Sequence, residues 1–247
     1  MRTKMTVIDA EETPGAYCRH PKTPAWRRDM DAPVLMQREK LAAHLIKQLG
    51  HRRMAASFHP TAEAARAAVL ELIPSPGTVL RCGSESVGGL GLWDAMAAKP
   101  GVTVMNPYAK GLTPEEAFDI RRRGFMADVL VTSTNALTLD GRLVNLDGAG
   151  SRVAPMIFGP RKVVLLVGMN KVVGDLEAAY ARVRTVAAPA NNMRLAGPLG
   201  LKNPCIEDGR CHNCRSETKI CNIWTVIEGS SVKDRIHVVL SGEDLGY

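Results

Sequence analysis

Short apolar runs alternate with amphipathic stretches along most of this chain, and that alternation narrows the folds open to it more than any other feature. Strands are expected near 53–58 and over 78–82, 102–106, 127–132, 162–168 and 235–240. Helical patterns fall between them, over 34–49, 61–73, 85 to about 98, from Thr113, and over 175–184, where Leu176, Ala179, Tyr180 and Val183 share one face. Thr61 has the side chain of a helix cap, and Thr113-Pro-Glu-Glu joins a capping residue to an acidic first turn. The runs 127–132 and 162–168 read as strands buried on both faces, which is the mark of a parallel sheet covered by helices. The expected fold is therefore α/β, a mainly parallel sheet with helices on both faces. With 45% hydrophobic residues in 247, the chain has the material for one large core. Residues 1–33, interrupted by Pro14, Pro21, Pro24 and Pro33, are expected to form an extended arm draped over a neighbour, and 34–247 the α/β domain.

The chemistry concentrates in a cysteine-rich loop, 203–222. Cys205, Cys211, Cys214 and Cys221 stand in the spacing C-x5-C-x2-C-x6-C. Thiolates are soft anionic ligands, so four within reach of one point make a cradle for a metal. Only Cys211 and Cys214 form a tight pair, whereas a structural zinc site is usually built from two such knuckles. One pair flanked by two distant cysteines suits a [4Fe–4S] cluster, which takes ligands from several sides, and Arg210, Arg215 and Lys219 can offset its charge. Spacing alone leaves zinc open, as well as free thiols or disulfides, and His212 can stand in for a thiolate. Cys82 ends an apolar run and is expected to be buried; Cys18 lies in the Pro-rich arm and carries no clear signal.

In an open parallel sheet, ligands collect where strands end and helices begin. Two turns qualify. Arg81-Cys-Gly-Ser-Glu-Ser-Val-Gly-Gly makes Gly83, Ser84 and Glu85 candidates to hold a phosphate or carboxylate, although it matches neither common nucleotide-binding loop. Beyond 127–132 comes a polar cluster, a hairpin signal at Asp140-Gly141, and a second cluster ending in glycines. Asn135 and Asp147 are candidate catalytic residues there, with Asp140, Gly148 and Gly150 as ligand contacts, and Lys171 brings a cation to the same sheet edge. The competing reading gives Ser84 to a helix cap, Asn135 and Asp147 to their own turns, and Lys171 to solvent.

The formal charge is +7, but basic residues are scattered and there are only four Phe and four Tyr, a poor footprint for nucleic acid. A small anionic metabolite or an acidic protein partner fits the excess charge instead. The charged start has no signal-peptide core, and the longest apolar run, 163–167, is too short to span a bilayer. A cytoplasmic setting is expected, where structural disulfides are rare.

The run from Thr132-Ser-Thr-Asn-Ala-Leu-Thr-Leu-Asp-Gly-Arg-Leu-Val-Asn-Leu-Asp-Gly-Ala-Gly-Ser-Arg-Val-Ala, followed by Phe158-Gly-Pro-Arg-Lys-Val-Val-Leu-Leu-Val-Gly-Met-Asn-Lys-Val, closely resembles the lactate-utilisation (LUD) domain family. The tail Gly209-Arg-Cys-His-Asn-Cys-Arg-Ser-Glu-Thr-Lys-Ile-Cys-Asn resembles the cysteine-rich ending of one branch of it. The resemblance covers roughly residue 37 to the C-terminus. It implies a fold similar to ribose-5-phosphate isomerases and CoA transferases. Some members belong to an iron–sulfur complex that oxidises L-lactate to pyruvate, which implies an electron-carrying role beside a flavin or iron–sulfur redox protein partner. Apart from the resemblance, a homodimer is the other assembly left open. In the sugar-phosphate relatives an acidic, Gly-rich turn and a later lysine serve the substrate; Asp140, Asp147, Gly148, Gly150 and Lys171 fall in comparable places. Asn135 and Asn145 stand where such enzymes carry acids or a lysine, which argues against isomerase-type proton transfer. The alternative is a non-redox enzyme or binding module for a phosphorylated or carboxylate metabolite, with zinc as a structural staple.

Overall fold

The computed structural model describes the backbone of residues 25–247 and side chains from residue 32 onward. Most of the expected arm, with Cys18, lies outside the described residues. Residues 35–247 form one unit and the residues before them another. The elements, in chain order, are α1 (Ala25–His51), β1 (Ala55–His59), α2 (Ala62–Glu71), β2 (Gly77–Arg81), α3 (Glu85–Gly88), α4 (Leu92–Ala97), β3 (Val102–Met105) and α5 (Pro114–Arg123). They continue with β4 (Val129–Thr132), β5 (Ala136–Thr138), β6 (Leu143–Asp147), α6 (Val153–Ile157), β7 (Lys162–Gly168) and β8 (Val172–Val173). The last are α7 (Leu176–Arg182), α8 (Ala188–Leu199), α9 (Cys205–Asp208), β9 (Ile223–Ile227) and β10 (Ile236–Ser241).

Six strands form an all-parallel sheet in the order β1-β10-β7-β4-β2-β3. Successive side chains of a strand face opposite ways, so β7 serves two cores at once. Val163, Leu165 and Val167 pack with Ala42, Leu45 and Leu49 of α1, while Val164 and Leu166 pack with Val69 of α2, Val87 of α3 and Met96 of α4. Each such fully buried Val or Leu is worth about 1.5–3 kcal/mol relative to exposure. Because all six strands run the same way, the ends of β2, β4 and β7 lie along one edge.

A second sheet, β8-β5-β6-β9, was not expected as a separate layer. The Asp140-Gly141 hairpin joins antiparallel β5 and β6, with Gly141 at φ 90°. Strand β9 pairs antiparallel with β6, from Leu143 opposite Ile227 to Asp147 opposite Ile223. Leu137 and Leu143 face the main core, while Ala136, Val144 and Leu146 face Ala179, Val183 and Ala188.

Three helix expectations are corrected. Helix α1 passes through Pro33 and starts at Ala25, because proline removes one intrahelical hydrogen bond yet keeps a helical φ. The helix expected from 85 to 98 is two short helices, parted where Gly91 adopts φ 62°, a left-handed angle that suits glycine. The helix expected to end near Arg184 instead widens into a π-helical turn at Val183–Ala187 and continues as α8. Both threonine caps form: Thr61 accepts from the Ala64 N–H, and Thr113 and Glu116 make a reciprocal capping box. Among the described residues no helix is long and apolar enough to cross a membrane.

Candidate functional site

Lys171 follows β7 in a short 3-10 turn, and it is not the solvated lysine of the competing reading: it is 3% exposed. Its Nζ donates to Ser86 Oγ at 2.7 Å and to Ser133 Oγ at 3.1 Å. Ser86 comes from α3, which follows β2, and Ser133 from the turn after β4, so the segments beyond three strand ends converge on one amine. Burial pushes the Lys171 pKa down to about 7, and the nearby Arg182 and Arg152 guanidiniums push the same way. The residues Gly242–Tyr247 lie across this edge. Ser86 Oγ donates to the Leu245 carbonyl at 3.2 Å, Asn170 Oδ1 accepts from the Leu245 N–H at 3.1 Å, and Asn170 Nδ2 donates to the Gly246 carbonyl at 3.2 Å. The sheet edge is thus a covered polar network.

The hub of that network is Arg152, which sequence reasoning passed over. Its Nη1 donates to Asn145 Oδ1 at 2.6 Å and to the Ser133 carbonyl at 3.1 Å. Its Nη2 donates to Asn135 Oδ1 at 2.9 Å and to the Leu146 carbonyl at 3.2 Å, and its Nε lies 3.4 Å from Asp147 Oδ2. The planar fork of guanidinium donors suits this ring of acceptors, and Ser133, Asn135, Asn145 and Asp147, polar residues around the buried strands, were the available signal for such a partner. Asp147 is buried, with Oδ1 accepting from the Gly150 N–H at 2.7 Å. Its carboxylate therefore closes its own turn and orients Arg152. Asn135 also receives the Leu146 N–H on Oδ1 at 3.0 Å and the Arg182 Nη1 on its carbonyl at 2.6 Å.

The remaining candidates divide. Gly83 is exposed at the end of β2, where an added Cβ would meet the Tyr108 hydroxyl at 3.5 Å. Ser84 precedes α3 without capping it, and its Oγ is buried with no hydrogen-bond partner. Glu85 is exposed and pairs with Arg194 at 3.2 Å. Gly148 and Gly150 border the cysteine-rich segment: a Cβ on Gly148 would meet the Ile220 carbonyl at 3.2 Å, and one on Gly150 the Ile223 side chain at 3.4 Å. Asp140 is not brought to this group. It sits at the hairpin tip with Thr138, Arg142 and Arg52, which outweigh its burial and hold its carboxyl below the usual range. Cys82 is buried as expected, and burial pushes its thiol up to about 11, which keeps it protonated and inert.

The four loop cysteines line one pocket, together with Arg184, Asn192, Asn203 and Lys219. Cys205 opens the short helix α9 and is buried; the other three are half-buried. Cys211 Sγ accepts from Arg184 Nη1 at 3.5 Å, and Cys221 Sγ accepts from Asn192 Nδ2 at 3.4 Å. Arg184 sits in the π-helical turn and stacks over Trp224, 5.3 Å from the ring centre, while Asn192 is fixed by Asn203 at 2.6 Å. Burial raises the Cys205 pKa, and the other three sulfurs, felt as neighbouring charges, raise it further. Among the described residues no three His, Cys, Asp or Glu side chains gather into a ready ion site. His212 points to Asp208 at 2.9 Å, and Asp208 is held well below the usual carboxylate range by the Arg210 N–H, then by His212 and Arg210. Asn222, the residue after Cys221, ties the cysteine-rich segment to the turn that holds Arg152: its N–H donates to the Asp147 carbonyl at 2.9 Å and its Nδ2 donates to the Gly148 carbonyl at 3.3 Å.

A parallel α/β domain with a buried amine at its strand ends and a thiol-lined loop against them is the class that fold and site define. A family model for the LUD domain matches residues 42–241, and the chain belongs to the LUD domain family. Among solved structures it is similar to a DUF162 family protein from Deinococcus radiodurans, at 15% identity over 83% of this chain and 98% of that one, with a TM-score of 0.46. It is also similar to the ribose 5-phosphate isomerase of Plasmodium falciparum, at 16% identity over 46% of this chain and 52% of that one, with a TM-score of 0.31. A variant of the decarboxylase AibA/AibB shows 20% identity over 43% of this chain and 58% of that one, with a TM-score of 0.32. No curated protein matches the chain in sequence.

Proposed function

We propose that this lactate-utilisation-type protein holds a [4Fe–4S] cluster on Cys205, Cys211, Cys214 and Cys221 and takes part in electron transfer as a small organic acid is oxidised. One observation carries the reading: four thiols of a single segment line one pocket, and two of them already receive N–H donors from outside the loop. A zinc ion requires every sulfur about 2.3 Å from one point, whereas a cluster spreads its ligands around a larger body. Four thiols lining one pocket serve either group, and the single tight pair Cys211–Cys214 flanked by two distant cysteines favours the cluster. When bound, the cluster supplies single-electron donation and acceptance. Arg184 and Asn192 orient the sulfurs through their N–H donors, and the Arg184 guanidinium offsets negative charge, as groups beyond the ligands commonly do. The small anionic metabolite is assigned to the edge at Lys171, where Arg152 and Arg182 add positive charge.

Anaerobic purification with iron, sulfide and zinc analysis tests the reading. Brown protein with about four iron and four sulfide per chain supports it, and Cys211→Ser should lose most of that iron. Colourless protein with stoichiometric zinc would replace it with the zinc-stapled enzyme or binding module.

A further inference from the structure

Lys171 differs from an ordinary anion-binding lysine in two respects. Such a lysine reaches into solvent or faces a carboxylate, whereas the hydrogen-bond partners of Nζ among the described residues are two hydroxyls. The charged groups it feels are cations, Arg182 and Arg152, with Asp147 turned toward Arg152 and the Gly150 N–H. Ser86 and Ser133 are themselves buried. The cover is the short stretch around Leu245 and Gly246, held by polar contacts to Ser86 and Asn170 and by the Leu245 side chain, which is buried in the apolar cluster with Val69, Val87 and Met96, so that lifting it exposes one leucine.

We propose that Lys171 captures the carbonyl of a small 2-oxo acid: with residues 245–246 displaced, Nζ condenses with the carbonyl carbon to give an imine and one water. Nitrogen forms a bond to carbon, its two hydrogens leave with the carbonyl oxygen, and nothing is oxidised or reduced. Ser86 and Ser133, each in hydrogen-bond reach of Nζ, are placed to hand a proton to the departing oxygen. The substrate carboxylate is drawn to the arginines of this edge, of which Arg152 already pairs with Asp147 and Arg182 feels Asp244. At pH 7 about half of a lysine with a pKa of about 7 is free amine, against about one in 3,000 at the ordinary 10.5, and a desolvated lysine is a known form of activated nucleophile. The inference rests on the reading of this edge as the metabolite site and is independent of the iron–sulfur assignment.

Reductive trapping tests it. Full-length protein is incubated with pyruvate or glyoxylate and cyanoborohydride, then analysed by intact mass and peptide mapping, with lactate as the control that has a carboxylate but no ketone. The expected product is a single adduct on Lys171, heavier by the oxo acid less one oxygen atom. It should be absent with lactate and absent in Lys171→Arg, which keeps the positive charge. Labelling at Lys171 should exceed that at any other lysine by about a hundredfold or more, given the difference in free amine. Absence of an adduct, or adducts spread over other lysines and unchanged in Lys171→Arg, overturns the proposal. Thermal shift with pyruvate alone separates the two layers: stabilisation without an adduct keeps the metabolite site and removes the imine, and neither effect removes both.

Discussion

Replacing Lys171 by Met should change how stability depends on pH more than it changes stability itself. The folded-state pKa is lowered from 10.5 to about 7, so between those values the unfolded chain binds a proton that the folded chain does not. Stability from this group is therefore complete above about 10.5 and is lost as pH falls toward 7. The full shift, 10.5 minus 7, corresponds to about 5 kcal/mol. Between pH 7 and 9.5 about 3 kcal/mol of it should be recovered. Met fills a similar volume without a charge but gives up the bonds to Ser86 and Ser133, at about 1 kcal/mol each and independent of pH. The variant should then be more stable than the native protein by about 2 kcal/mol at pH 7, and the two should cross near pH 9. Urea titrations followed by circular dichroism at half-unit pH steps, under reducing conditions, give the difference directly, and other titrating groups cancel in it. Parallel curves across pH 7–9.5 would refute the reasoning, since they would mean that Lys171 stays charged in the folded state and that its amine is not poised for carbonyl chemistry.

Arg152→Ala should cost about 3–5 kcal/mol in urea denaturation, because it strands Asp147 and the side-chain oxygens of Asn135 and Asn145 without their donor; a cost below about 1 kcal/mol would show that these groups find other partners. In Gly168→Ala the new methyl would collide with the Leu245 backbone nitrogen and Asn170 Oδ1, so the edge cover should lift, at about 1–3 kcal/mol, and reductive labelling of Lys171 should accelerate. Thr113→Ala removes a working capping box and should lower stability by about 1 kcal/mol with no change in iron content or Lys171 labelling.

Where local chemistry decides an element, the sequence was sufficient. Strand β7 has the bounds its unbroken apolar run implies, and Thr61 and Thr113 cap the helices they precede. What escaped depends on partners distant in sequence. Ile223-Trp-Thr-Val-Ile has strong strand character, but its role is fixed by pairing with β6, some eighty positions earlier in the chain. Arg152 looks like any solvated arginine until β5, β6 and the turn after β4 surround it with oxygens. Lys171 could be placed at a strand end from the alternation alone, whereas its burial arises from Ser86, Ser133 and the crossing of Leu245, none of them its neighbours in sequence. The thiol spacing was legible; the two donors to sulfur, Arg184 and Asn192, required the π-helical turn that carries the helix past its expected end.

Strand β9 starts two residues after Cys221, and its pairing with β6 begins at Asp147. Opening the thiol loop at that end pulls on the Asn222 hydrogen bonds to Asp147 and Gly148, and through them on the turn that steadies Arg152. Amide exchange should consequently report the two regions as a single opening unit, so that whatever grips the cysteines also slows deuterium uptake at residues 147–150. A protein stripped at its sulfurs would announce the loss at a turn that contains no sulfur at all.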